Sequence, residues 1–317
     1  MKVNEALYPW LVPVLHKLQQ RYTEQQLHHG LLFVADQGVG ENELINQLTK
    51  TLVCSEQNAC GKCKGCMLYD AQSHPDIKRL VSDKPSIGVD LIRSASEFVT
   101  TTSQLLGNKV VVIENIERMT ESASNSLLKT LEEPSQNTYL LLSTNKPNRI
   151  LATITSRCEK IRLSLPNVQE SLAWLASKTQ ENVSEEGLMA FSGSAIDYLQ
   201  SLQGSTTNYL EFDQDLALLG ESKISGLALA EKWQGDASLV LSWIYQKTIV
   251  QYKTLLNAST QTTVLEINQR LSTIESLVGD CQQANKKIGQ AGINKSLILQ
   301  QVFNKFQAIR ENFIKSE

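Results

Sequence analysis

Residues 31–52 read LLFVADQGVGENELINQLTKTL. The run Leu31 to Ala35 has the length and apolarity of a buried strand, and Gly38 and Gly40 then turn the chain. Over residues 41 to 53, Leu44, Ile45, Leu48 and Leu52 recur at helical spacing and share one face. A strand, a glycine turn and a helix N-terminus in that order aim backbone N–H groups at an anion, which is the shape of a phosphate-binding loop. The chemistry departs from the shape. A working loop ends in Gly-Lys-Ser/Thr, with lysine on the terminal phosphates and the hydroxyl on magnesium, whereas Gly40 is followed by Glu41 and Asn42. At an effective dielectric near 20, charges about 4 Å apart interact by roughly 4 kcal/mol, so glutamate in place of lysine turns attraction into repulsion of similar size. Tight ATP binding at Gly38, Gly40, Glu41 and Asn42 is not expected, and taken alone the two glycines read more simply as a turn.

Outward from this stretch, strands and helices keep alternating. An apolar helix around Tyr8 to Gln20 precedes it, and Ile77 to Val81 suits a short strand. Val89 to Thr101 follows as a helix, then Lys109 to Ile113 as a fully buried strand of the parallel type. The helix at Ser122 to Glu133 is stopped by Pro134, and Tyr139 to Leu142 is the next strand. Residues 109–115, KVVVIEN, put Glu114-Asn115 where nucleotide-hydrolysing folds end a strand in Asp-Glu. Glu114 could approach a metal, but an asparagine cannot act as general base, and in isolation this is a core strand with a polar end. After Pro166 the pattern is helical: Val168 to Lys178, Ser184 to Phe191, Ser194 to Leu202, and longer helices from about Leu210, with a plausible joint at Gly204 to Asn208. The expected fold class is therefore α/β with a parallel sheet and flanking helices over residues 1–163, a small helical domain over 164–205 and an all-α domain over 206–317.

Four cysteines interrupt the α/β pattern. Cys54, Cys60, Cys63 and Cys66 are spaced C-x5-C-x2-C-x2-C, with Gly61 and Gly65 to permit tight turns, while Cys158 and Cys281 stand apart. Four thiolates suit tetrahedral zinc and leave no open position, so a site at 54–66 would be structural. An iron-sulfur cluster would need a fourth cysteine where Asp70 stands. Reduced thiols without metal are the remaining, lesser reading. In a reducing compartment such crowding points to metal and not to disulfides.

Composition limits the partners. With 317 residues the chain has room for about two domains, or three small ones. A content of 41% hydrophobic and 20% charged residues excludes collagen-like and strongly disordered classes. Thirty Lys plus Arg against 33 Asp plus Glu give a net charge of -3, so no global basic field draws nucleic acid. Glu5, two prolines and His16 interrupt the N-terminal stretch where a secretory signal would be apolar, and no run of about 18 apolar residues occurs; a cytoplasmic protein away from membranes is expected. A local basic excess at Lys146, Arg149, Arg157, Lys160 and Arg162, against Glu159 alone, reads as a solvated face. Its sharper reading is Arg157, a guanidinium able to stabilise phosphate charge held by a neighbouring subunit. The four histidines show no triad or metal spacing.

Residues 127–134, LLKTLEEP, with Ser156-Arg157-Cys158 and the four-cysteine insertion, resemble bacterial clamp-loader subunits of the AAA+ class. Tyr8-Pro9-Trp10, Ser73-His74-Pro75-Asp76, Gly88-Val89-Asp90 and Gly292-Ile293-Asn294 are similar to further marks of that family. The resemblance spans nearly the whole chain and is dense through residue 163. It implies an AAA+ core with a zinc module, a small helical lid and a helical collar that assembles into a five-membered ring. It also implies a non-hydrolysing stator of the DNA polymerase III clamp loader, a nucleotidyltransferase complex in which this chain is not catalytic by itself. Such a subunit helps load the sliding clamp onto primed DNA beside gamma or tau and delta subunits, and Arg157 would complete a neighbour's ATP site in trans. Hydrolysing members carry a sensor arginine in Gly-Ser-x-Arg-Asp, where Gly193-Ser194-Ala195-Ile196-Asp197 has isoleucine. An ATP-hydrolysing gamma or tau type is thus opposed by Glu41, Asn42, Asn115 and Ile196. A zinc-dependent nucleic-acid-binding module is opposed by a cysteine segment that offers Lys62 and Lys64 and no aromatic residue.

Overall fold

In the computed structural model, residues 7–81, 85–204, 208–257, 264–290 and 292–314 are described. The run that begins at Leu31 is strand β1 (Gly30–Ala35), one of five described strands with β2 (Ile77–Leu80), β3 (Lys109–Ile113), β4 (Thr138–Thr144) and β5 (Glu159–Leu163). They form one sheet in the order β2-β3-β4-β1-β5. Every pairing is parallel, with Gly30 opposite Leu140, Leu31 opposite Glu159, Ile77 opposite Val110 and Lys109 opposite Thr138. Helices α1 (Val12–Thr23), α2 (Glu41–Leu52), α3 (Lys64–Asp70), α4 (Val89–Thr100), α5 (Glu121–Glu132) and the short α6 (Ala152–Thr155) complete this part.

The uninterrupted apolar runs follow from burial on both faces. Leu31, Phe33, Val110 and Val112 pack with Leu15, Leu18, Leu44 and Leu48 of α1 and α2. The alternate residues Leu32, Val111, Ile113 and Leu140 pack with Ile92, Ala95, Leu127 and Leu131 of α4 and α5. Strand β5 falls in the stretch whose sequence pattern is a basic, solvated face and carries no strand signal. It is an edge strand of pattern Glu-Lys-Ile-Arg-Leu in which Leu163 alone is buried. Pairing with β1 defines it, together with Arg21 of α1, whose Nη2 donates to Glu159 Oε2 at 2.7 Å.

The chain parts into two compact units, Met1–Pro166 and Asn167–Glu317. The second is helical: α7 (Val168–Lys178), α8 (Glu185–Ala190), α9 (Ala195–Leu202), α10 (Tyr209–Gly220), α11 (Gly226–Trp233), α12 (Ala237–Asn257), α13 (Val264–Ile288) and α14 (Lys295–Ile314). Polar caps set the starts: Asn167 and Glu170 form a capping box, and Ser184, Ser194 and Ser225 each accept a backbone N–H in the first turn. The core of this unit is aromatic, with Trp243 between Phe191, Tyr209 and Phe212 at ring separations of 5.2 to 5.5 Å. Lys247 of α12, only 7% exposed, is neutralised by Glu186 of α8 and Asp213 of α10. Residues 205–207, within the joint expected from sequence, lie outside the described residues. No described helix is long and apolar enough to cross a membrane.

Candidate functional site

In a parallel sheet one edge collects the C-terminal ends of the strands and the other their N-terminal ends. The glycine turn follows β1 and lies on the C-terminal edge. Gly38 and Gly40 have φ of 78° and 87°, values that glycine adopts at no steric cost. The turn is pinned from several sides. Trp10 Nε1 donates to the Val39 carbonyl at 2.9 Å, Asp36 N donates to Leu163 O at 2.9 Å, and Val39 is fully buried. Two carboxylates, Glu41 and Glu43, stand in the first turn of α2, where the positive end of the helix dipole would otherwise receive phosphate. On the same edge Glu114 follows β3, its carboxylate 3.7 Å from the Arg79 guanidinium, and Asn115 sits at φ 53°. Arg79 also reaches Asn46 Oδ1 of α2 at 2.5 Å. A guanidinium therefore stands between the helix and the strand end where a nucleotide-hydrolysing site would hold magnesium.

The N-terminal edge carries the thiol cluster. Helix α2 returns the chain to that edge at Cys54, and positive φ at Gln57, Ala59 and Gly61 folds the following segment tightly. Each of Cys54, Cys60, Cys63 and Cys66 offers a sulfur, and the four lie within 4.8 Å of one another. The Cys54 and Cys63 sulfurs are 3.8 Å apart. A tetrahedral ion with bonds of about 2.3 Å separates its sulfurs by about 3.8 Å, so the spacing fits a tetrathiolate site. Backbone amides already face the sulfurs: Cys60 N donates to Cys54 Sγ, Cys63 N to Cys60 Sγ and Cys66 N to Cys63 Sγ, each at 3.4 Å. Burial pushes the Cys63 thiol up, but the Cys66 and Ser55 amides outweigh it and hold the group down at about 6. Burial pushes the Cys66 thiol up as well, and there Cys63 and Cys54 add to the effect, so its net shift is upward. A cation placed among the four resolves that conflict, because it favours every thiolate at once.

Gly65 serves differently from the expectation of a tight turn. It lies inside α3, and a Cβ there would stand 2.2 Å from the Val53 carbonyl oxygen, so its bare backbone lets the module close onto the end of α2. Lys50, 7% exposed, fixes the same junction by donating to both oxygens of Asp70 at 2.7 and 2.8 Å. The Ser73-His74-Pro75-Asp76 segment braces this edge. His74 Nδ1 accepts from Asp76 N, and the buried Asp76 carboxylate accepts from Ser103 Oγ, Gln104 N and Leu105 N at 2.8 to 2.9 Å. Burial would raise the Asp76 carboxyl, yet these three donors hold it below the usual carboxylate range.

Arg157 belongs to this second edge as well. It precedes β5, and its carbonyl lies 3.5 Å from where a Cβ on Gly30, the first residue of β1, would be. Its Nη1 donates to the Thr153 carbonyl at 3.0 Å and to Ser156 Oγ at 3.4 Å, and its Nη2 is 2.5 Å from Glu132 Oε1. That partner could not be found from spacing, because Glu132 and Arg157 sit on separate segments that meet only in the fold. Ile196 occupies the first turn of α9, directly after the Ser194 cap.

A family model described as "DNA polymerase III, delta subunit" matches residues 12–167. The DNA polymerase III subunit delta' of Haemophilus influenzae is 46% identical over 178 residues, 55% of this chain and 54% of that relative. The DNA polymerase III subunit delta' of Escherichia coli is 32% identical over 311 residues, 92% of either chain. Among solved structures, a DNA polymerase III gamma subunit-related protein of Thermotoga maritima aligns at 20% identity and a TM-score of 0.45 over 93% of this chain and 99% of that one. Through the match that runs nearly end to end with the Escherichia coli protein, the chain belongs to the family of DNA polymerase III delta prime subunits.

Proposed function

We propose that this chain is a non-hydrolysing subunit of the bacterial clamp loader, which places the sliding clamp on primed DNA, and that it supplies Arg157 in trans to the ATP site of an adjacent gamma or tau subunit. The observation that carries this reading is the separation of Arg157 from the chain's own glycine turn. Arg157 stands beside Gly30 at one end of β1, and the turn follows Ala35 at the other. Five residue steps of about 3.3 Å put roughly 16 Å between those ends, beyond the reach of an arginine side chain. A finger on that edge can serve only another molecule's phosphate, and the chain's own turn offers Glu41 and Asn42 where lysine and a hydroxyl would be needed.

In this reading residues 1–163 are the AAA+ core, 164–205 the lid and 206–317 the collar through which the subunit joins a ring with gamma or tau and delta. The thiols of Cys54, Cys60, Cys63 and Cys66 hold a structural zinc ion, whose chemistry is confined to cross-linking the module. The chain works in the cytoplasm and meets clamp and DNA through the assembled complex. Gly38, Gly40, Glu41 and Asn42 form a turn that does not hold ATP.

The test is Arg157→Ala in a reconstituted loader, with assembly checked by gel filtration and ATP hydrolysis measured with clamp and primed DNA. Where a finger serves the sole site it is worth about a thousandfold or more. In a ring with several sites the expected loss is smaller, confined to the junction this chain completes. A variant that assembles and hydrolyses ATP at the wild-type rate would sink the reading.

A further inference from the structure

Two segments far apart in sequence meet beneath Arg157. Glu132 is the last residue of α5, and Arg157 comes just after α6. A Cβ on Gly30 would find Leu131 Cδ2 at 3.0 Å, Arg157 O at 3.5 Å and Cys158 Sγ at 3.6 Å, so both segments rest on the start of β1. Leu131 and Cys158, 2% and 9% exposed, fix the backbone beside each member of the pair. On that floor Glu132 Oε1 sits 2.5 Å from Arg157 Nη2, and Nη1 is engaged by Thr153 O and Ser156 Oγ. A guanidinium carries five N–H donors, so these contacts hold it from its own chain and leave donors for an incoming acceptor.

The pair is poorly placed to serve stability. Its side chains are 36% and 47% exposed, a setting in which ion pairs contribute little. Glu132 also stands at a helix C-terminus, where the dipole favours a cation and disfavours a carboxylate. What the contact does accomplish is to order a long, rotamer-rich side chain at the surface before anything binds it.

We propose that Glu132 is a positioning residue for Arg157. It holds the guanidinium against the end of α5 so that the finger meets a neighbour's phosphate already oriented, and ordering is not repeated at each turnover. The proposal rests on the in-trans reading of Arg157.

The experiment uses the reconstituted loader with Glu132→Ala, Glu132→Gln, Arg157→Ala and the Glu132→Ala/Arg157→Ala double variant, each checked for assembly and thermal unfolding. For Glu132→Ala the expected result is a kcat for the junction site lowered roughly three- to tenfold with the KM for ATP unchanged, the pattern of an interaction made in the transition state. Glu132→Gln keeps an acceptor oxygen and recovers part of the loss. Added to Arg157→Ala, the Glu132 change costs nothing further. A raised kcat would make Glu132 a competitor for the finger and overturn the proposal, as would a Glu132 effect that persists without Arg157. Wild-type rates in both Glu132 variants beside an impaired Arg157→Ala would remove the positioning role and leave the finger standing. Wild-type rates in Arg157→Ala would remove the finger itself. If both Glu132 variants fail to assemble while Arg157→Ala assembles, Glu132 is an interface residue and the proposal falls.

Discussion

The two edges of one sheet differ in how their backbone and their side chains agree. On the C-terminal edge the backbone of a phosphate loop is present, with Gly38 and Gly40 at positive φ and a helix N-terminus beyond, yet the side chains oppose it: Glu41 and Glu43 in the first turn and Arg79 against Glu114. On the N-terminal edge backbone and side chains point to the same chemistry. Amides face the sulfurs of four converging cysteines, and Arg157 is held by three contacts. The contrast teaches that a loop's shape and its function are separable, and that a site is read from donors, acceptors and charge at named atoms. In the proposed reading, the edge whose side chains oppose a nucleotide lies across the sheet from the edge that would serve a neighbour's.

The thiol cluster offers the strongest way to break the comparison. Metal ligation in small thiolate modules supplies apparent binding energies of about 10–16 kcal/mol, and residues 54–66 have little apolar core of their own beyond Cys54, Gly65 and Cys66. Wild-type protein expressed with zinc available is expected to carry one ion per chain by metal analysis. Cys63→Ser should lose it, and proteolysis should then cut first between residues 54 and 66 while the sheet survives. Full retention of zinc in the variant would show that the four sulfurs do not act together.

The glycine turn comes next in size. Calorimetric titration of the isolated chain with Mg-ATP is expected to give no useful affinity. Glu41→Lys with Asn42→Ser replaces a repulsion of roughly 4 kcal/mol by an attraction and supplies a hydroxyl for magnesium. Affinity should therefore rise in the double variant, though Arg79 beside Glu114 still occupies the opposite side. Micromolar binding by the wild-type chain would erase the contrast between the two edges.

What could be read in advance was what short-range pattern encodes. The apolar runs of β1 and β3 announce burial on both faces, helical spacing marks α2 and α5, and the cysteine spacing brings four sulfurs to one place. Three features escaped because their causes are not local. Strand β5 carries charges at Glu159, Lys160 and Arg162, and only its pairing with β1 and the Arg21 contact make it a strand. Gly65 sits within a helix and is needed for the approach of Val53, a neighbour that turn preferences do not report. Glu132 and Arg157 come from two segments that the start of β1 brings together, so neither motif names the other.

The smallest expected effect concerns the bracing of the N-terminal edge by Asp76. Its carboxylate accepts three hydrogen bonds from Ser103, Gln104 and Leu105, and those donors hold its pKa below the usual carboxylate value. A group whose folded pKa is depressed contributes stability that is fully present above its unfolded pKa of about 3.9 and is lost as pH falls through the folded value. Asp76→Asn keeps one acceptor oxygen but turns an amide toward N–H donors, so bonds to this buried side chain are lost at a cost of about 1–3 kcal/mol. At pH 7 the variant should unfold at lower temperature than wild type. As pH falls below about 4 the unfolded chain takes up the proton before the folded carboxylate does, the advantage is lost progressively toward the lower folded value, and the gap between the two curves should narrow. Groups far from this segment act on both proteins alike in that range, and the difference between them reports on Asp76 together with the adjacent His74. A gap in unfolding temperature that stays constant from pH 7 to pH 3 would mean that the charge of Asp76 does nothing for this edge, leaving the 103–105 loop braced by shape alone.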